Sequence, residues 1–79
     1  MRGRAAAETE RRHLGDVVSE LRRSAGLTQE DVADRASVSL RFVRMIETGR
    51  GNPSFVTMLQ IADAIGAPLS DIIRRAERR

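Results

Sequence analysis

The sequence predicts an all-α fold: five short helices packed as a single domain. Apolar residues recur at helical spacing in five separate stretches, each opened or closed by a capping residue, a glycine or a proline. No stretch carries a strand signal. With 79 residues and no cysteine, the chain must hold itself together by packing alone; Phe42 and Phe55 are its only aromatics, so that core is aliphatic.

Residues 1–8 are small and basic with nothing to pack, and are expected to be disordered, leaving residues 9–79 as the domain. From about Thr9 the pattern turns helical. Leu14, Val17, Val18 and Leu21 recur at i, i+3, i+4 and i+7, and Gly26 is the stop signal. Thr28 opens the second helix: a hydroxyl cap precedes Glu30 and Asp31, and Asp31 can reach back to the cap. Val32, Ala33 and Ala36 face inward. After Ser37-Val38, Ser39 caps a third helix from Leu40 to about Thr48, which Gly49 ends. The loop Arg50-Gly51-Asn52-Pro53 leads to Ser54, the cap of a fourth helix carrying Phe55, Met58, Leu59, Ala62 and Ile65. Gly66 stops it. Pro68 sits near the start of the fifth, whose apolar side is Leu69, Ile72 and Ile73.

The net charge is only +3, yet all fourteen basic side chains are arginine. Residues 1–26 sum to +2 (six Arg, four acids), 27–53 to 0 (four and four) and 54–79 to +1 (four and three). Attraction to a polyanion therefore depends on where the arginines sit. No apolar run approaches the roughly 20 residues of a membrane span, and the N-terminus lacks the hydrophobic segment of a signal peptide. The expected setting is intracellular, in the cytoplasm, with no membrane partner.

The third helix is the informative one. At about 100° per residue, Phe42, Val43 and Ile46 share one arc. Arg41 and Arg44 point away from it, flanked by Leu40 and Met45. Alone, this is an amphipathic helix with a solvated charged face. Its setting changes the reading: two short helices joined by a few residues, over about 29–48, form the geometry that holds the second one out for a major groove.

With Gly26-Leu27-Thr28-Gln29-Glu30, Ala33, Ile46-Glu47, Gly49, Asn52-Pro53-Ser54 and Ile61-Ala62 through Ile65-Gly66 in this order, the chain from about Leu14 to Ile73 resembles the helix-turn-helix domains of the phage repressor and Cro (XRE) family. The resemblance implies a five-helix bundle of the lambda-repressor type and a regulator of transcription that binds double-stranded DNA. It places Leu40, Arg41, Arg44 and Met45 where the family reads base edges. Gln29 would contact a phosphate, joined by the capping residues Thr28 and Ser39 and by Arg50, Asn52 and Ser54 of the backbone-following loop. Glu47 matches an acid that pairs with an arginine near the end of the first helix, here Arg22. The family's turn usually has glycine where this chain has Ser37. A left-handed serine there bears strain; otherwise the turn is shifted.

Since the motif takes up nearly the whole sequence, no ligand-sensing or catalytic domain is expected, and dimerisation falls to the domain's own surface. The expectation is a homodimer through Leu69, Ile72 and Ile73 on a pseudo-palindromic operator, with no cofactor or small-molecule ligand. His13 is the only histidine, so no metal cluster is expected, and Gly49-Arg50-Gly51 lacks the lysine and spacing of a phosphate loop. No set of residues suggests an enzyme. The alternative is an antitoxin or adaptor whose arginine face meets an acidic protein.

Overall fold

The computed structural model describes residues 4–79, with side chains from Ala7 onward. Five helices follow one another: α1 (Arg4–Ser24), α2 (Gln29–Ala36), α3 (Leu40–Glu47), α4 (Phe55–Ile65) and α5 (Leu69–Glu77). There is no strand among the described residues.

The helix starts follow from local chemistry. Thr28, Ser39 and Ser54 are extended, and each side-chain oxygen accepts the N–H of the third residue on, from Asp31, Phe42 and Thr57. At Thr28 the exchange is reciprocal, for Asp31 Oδ2 accepts the Thr28 N–H at 2.8 Å. Pro68 caps α5 with its φ of −61° and no side-chain bond.

α1 starts at Arg4 and not near Thr9. Alanine is the strongest helix former, so the Ala5-Ala6-Ala7 run favours a helix that begins before Thr9. The expected disorder of residues 1–8 thus gives way to helix from Arg4; residues 1–3 lie outside the described residues.

Val17 and Val18 of α1, Val32 of α2, Val43 and Ile46 of α3, Ile61 of α4 and Ile72 of α5 all bury into one cluster. α1 packs on α5 and α3, α2 on α4 and α3, and α4 on α5. The radius of gyration, 11.7 Å, is about that of a close-packed chain of this length.

α3 is thus held from two sides, by α1 and α2. The grip of α1 is a backbone contact. A Cβ at Gly15 would lie 2.3 Å from the Ile46 carbonyl oxygen and 2.9 Å from that of Glu47. Only glycine allows this approach in mid-helix. Beyond α3, a Cβ at Gly49 would lie 2.9 Å from Cα of Arg12. The turn between α2 and α3 is left-handed: Ser37 has φ 59° and ψ 42°, and the Val38 N–H donates to Ala33 O at 3.0 Å. The turn keeps the geometry usually given to glycine, with serine in it.

Two apolar sets sit differently from a simple inward face. Phe55 and Leu59 are 70% and 42% exposed while Met58, Ile61 and Ala62 fill the core side of α4. On α5, Ile72 is wholly buried, so it belongs to the core and is removed from the expected dimer surface; Ile73 is 41% exposed and Leu69 half-buried.

Candidate nucleic-acid interface

Burying Val43 and Ile46 fixes how α3 rolls on the body. Arg41 and Arg44 then point outward and are exposed, while Leu40 and Met45 are half-buried at their flanks. Leu40 packs against the core, so only part of its side chain faces out. Arg41, Arg44, Met45, Thr48 and the following loop's Arg50 line one shallow depression. Three guanidiniums and no carboxylate line it, a setting that favours a polyanion.

The polar rim comes from helix starts. Ser39 Oγ accepts the Phe42 N–H at 3.0 Å, and Thr28 Oγ1 accepts the Asp31 N–H at 3.0 Å. Each hydroxyl spends an acceptor on its cap, and that of Ser39 keeps its proton for an outside acceptor. Thr28's backbone N–H, then its hydroxyl, hold the Asp31 carboxyl below the usual carboxylate range. Ser54 Oγ accepts the Thr57 N–H at 3.1 Å and also meets the Thr57 hydroxyl, and Arg50, Asn52 and Ser54 are exposed along the loop.

Beneath the outward face of α3 the structure brings Arg22 and Glu47 together. Arg22 Nε donates to Glu47 Oε2 at 2.7 Å and Nη2 to Oε1 at 3.0 Å, the two-pronged match of guanidinium and carboxylate. The third arm, Nη1, donates to Leu27 O at 2.9 Å, so one side chain ties α1 to α3 and to the segment before α2. The side chains are 12% and 5% exposed. Burial pushes the Glu47 carboxyl up, but bonds from Arg22, Gln29 and Ser19 with the Arg22 charge outweigh it and hold it below its ordinary value. The Glu47 hydrogen bond raises the Arg22 guanidinium further.

Gln29 is drawn into the same group. Its Nε2 donates to Glu47 Oε1 at 3.1 Å, and its Oε1 accepts from Arg44 Nε at 3.4 Å. These bonds escape sequence reasoning, since nothing in the spacing aims a glutamine amide at two partners 15 and 18 residues away. Gly15 also escapes it, although a lone glycine inside a helical pattern signals a close packing contact. Leu69 and Ile73 lie on the α4–α5 side, apart from this face. Among the described residues no group of side chains could hold a metal ion.

Known proteins share both sequence and shape. The family model described as "Helix-turn-helix" matches residues 18–72. An uncharacterized HTH-type transcriptional regulator of Sinorhizobium fredii is 35% identical over 63 residues, spanning 80% of this chain and 82% of its own length. The clp gene regulator ClgR of Corynebacterium glutamicum superposes with a TM-score of 0.82 at 26% identity, over 87% of this chain and 90% of its own. The restriction-modification controller protein C.AhdI of Aeromonas hydrophila does so with a TM-score of 0.77 at 29% identity, over 78% and 94%. An outward arginine helix on a five-helix frame, matched at this length, makes the chain a member of the repressor and Cro (XRE) family of helix-turn-helix DNA-binding transcription regulators, which are not enzymes.

Proposed function

We propose that the protein is a repressor or autoregulating controller that binds a specific double-stranded site as a homodimer, with α3 in the major groove. One observation carries the reading. The side of α3 away from Val43 and Ile46 presents Arg41, Arg44 and Met45 beside Arg50, and no carboxylate lines that face. Arginine forks onto guanine O6 and N7, a contact worth about 1–3 kcal/mol of discrimination. Leu40 and Met45 touch thymine methyls or exclude other bases. Thr28, Gln29, Ser39, Arg50, Asn52 and Ser54 follow the phosphates and set register.

One such module offers DNA only about 600–1,000 Å², so tight binding calls for two. The dimer surface in this proposal is the α4–α5 face, where Phe55, Leu59 and Ile73 are exposed apolar residues beside Leu69. An apolar patch of this kind at a protein surface marks an association site. A two-fold dimer places its recognition helices about 34 Å apart, one turn of DNA. A DNA target sets the protein in the cytoplasm, with the nucleoid when bound. The controller role is supported by the likeness to C.AhdI.

The test is a selection from random duplex DNA followed by a salt titration on the recovered sequence. A two-fold symmetric site with guanines in each half, and log K falling by about 0.9 per phosphate contacted, is the expected result. Recovery of no motif, with binding to an acidic protein that varies little with salt, would overturn it.

A further inference from the structure

We infer that Gln29 is a positioning residue for Arg44: a relay from Arg22 through Glu47 and Gln29 holds the Nε edge of Arg44 and leaves its two terminal nitrogens as the fork that reads one guanine. This assigns base preference to Arg44 over Arg41, and it rests on the major-groove reading proposed above.

The relay has a direction that chemistry enforces. A carboxylate only accepts and a guanidinium only donates. Between Glu47 and Arg44, a glutamine amide therefore has one workable orientation: Nε2 toward Glu47 at 3.1 Å and Oε1 toward Arg44 Nε at 3.4 Å. Flipped, it would set oxygen against oxygen and N–H against N–H. Glu47 cannot swing away, because Arg22 holds both of its oxygens, at 2.7 and 3.0 Å. The anchored end is largely buried, at 12% and 5% exposure, and the far end is the exposed Arg44. Order is thus passed outward from the body of the protein to its reading face.

Arg44 binds Gln29 through Nε alone. Its two Nη groups remain, and a pair of parallel N–H donors is what guanine O6 and N7 accept. Arg41 has no hydrogen-bond partner among the described residues and keeps its rotamer freedom. A side chain already oriented loses less freedom on binding, so the held arginine discriminates more sharply than the loose one. Gln29 then does more than touch a phosphate, a contact that would serve every sequence alike.

The test pairs a measurement on the free protein with one on DNA, using Gln29→Met, which keeps the length and shape of the side chain and removes both polar ends. In nuclear magnetic resonance of the full chain, the Arg44 Nε–H signal is expected to be slow to exchange in the wild type and solvent-averaged in Gln29→Met, with the remaining helical signals unchanged. On the duplex recovered by selection, and on duplexes with each guanine replaced by adenine, Arg44→Ala removes discrimination at one base pair. Gln29→Met is expected to lower discrimination at that same base pair by about tenfold, and to change it no further in the Arg44→Ala background. If Gln29→Met weakens all duplexes by one factor, or Arg41→Ala is the variant that removes the discrimination, the relay is overturned while DNA recognition stands. If the Arg44 signal is already averaged in the wild type, the relay is likewise overturned. A wild type with no preference among duplexes would bring down the major-groove reading, and this inference with it.

Discussion

Arg22 and Glu47, 25 residues apart in sequence, meet through two N–H···O bonds of 2.7 and 3.0 Å beneath α3. Removing one member of a largely buried pair strands the other, at a cost of about 3 kcal/mol. Glu47→Ala is therefore expected to melt on the order of 15 °C lower in a domain of this size, and to bind DNA more weakly because α3 loses its tie to α1. Thermal denaturation followed by circular dichroism checks it; a normal melting point would mean the pair contributes nothing.

The same pair sets an acid limit. Glu47 titrates below its ordinary value of 4.5 in the folded protein, so the unfolded chain takes up its proton first as pH falls. The stability it contributes is complete above pH 4.5 and is lost as the pH drops through the lower, folded value. Denaturant midpoints measured from pH 6 down to about pH 3 should fall for the wild type, and fall less steeply for Glu47→Gln.

Gly15→Ala sets two effects against each other. Alanine improves helix propensity by about 1 kcal/mol. Its methyl, however, would meet the Ile46 carbonyl oxygen at 2.3 Å, and a backbone carbonyl cannot turn aside. Overpacking of this kind costs about 1–3 kcal/mol, so the net change is destabilising. The larger loss is expected in DNA affinity, because α3 must shift outward; titration of a labelled duplex measures it.

At Ser37 the expectation is a gain. A left-handed serine bears about 1–2 kcal/mol of strain that glycine avoids. Glycine loses roughly 0.4–1 kcal/mol of that through its freer unfolded chain. Ser37→Gly should thus be more stable by about 0.5–1 kcal/mol, seen as a higher urea midpoint with an unchanged slope.

Exposed and buried apolar residues of α4 and α5 are expected to separate the proposed association from folding. Ile73→Glu or Leu59→Glu, at exposed positions, is expected to leave helical content intact and yield a monomer in sedimentation. Ile72→Ala removes a wholly buried side chain and should cost about 2–5 kcal/mol of stability instead.

Much of the fold was legible because its signals are local. A hydroxyl that caps a helix and a glycine that ends one act within four residues, as Thr28, Ser39, Ser54 and Gly66 do here. The roll of α3 was legible too, since Val43 and Ile46 fix it by spacing. What the sequence hid is set by three-dimensional closeness. Ile72 and Ile73 are neighbours of equal hydrophobicity, and only the placement of α1 and α4 around α5 buries one and exposes the other. Apolar spacing places the start of α1 near Thr9, while helix propensity extends it to Arg4. Gln29 was legible as the first residue of α2, but its two partners depend on how α2 crosses the end of α3.

The grip on α3 through the carbonyls of Ile46 and Glu47 is indifferent to the side chains on its outer face. Position 41, bound to nothing else among the described residues, can change in a single mutational step without disturbing the frame. Position 44 shares a bond with Gln29 and is not independent in that way. Among descendants of duplicated copies, substitutions at position 41 are then expected to occur alone, and those at positions 29 and 44 together.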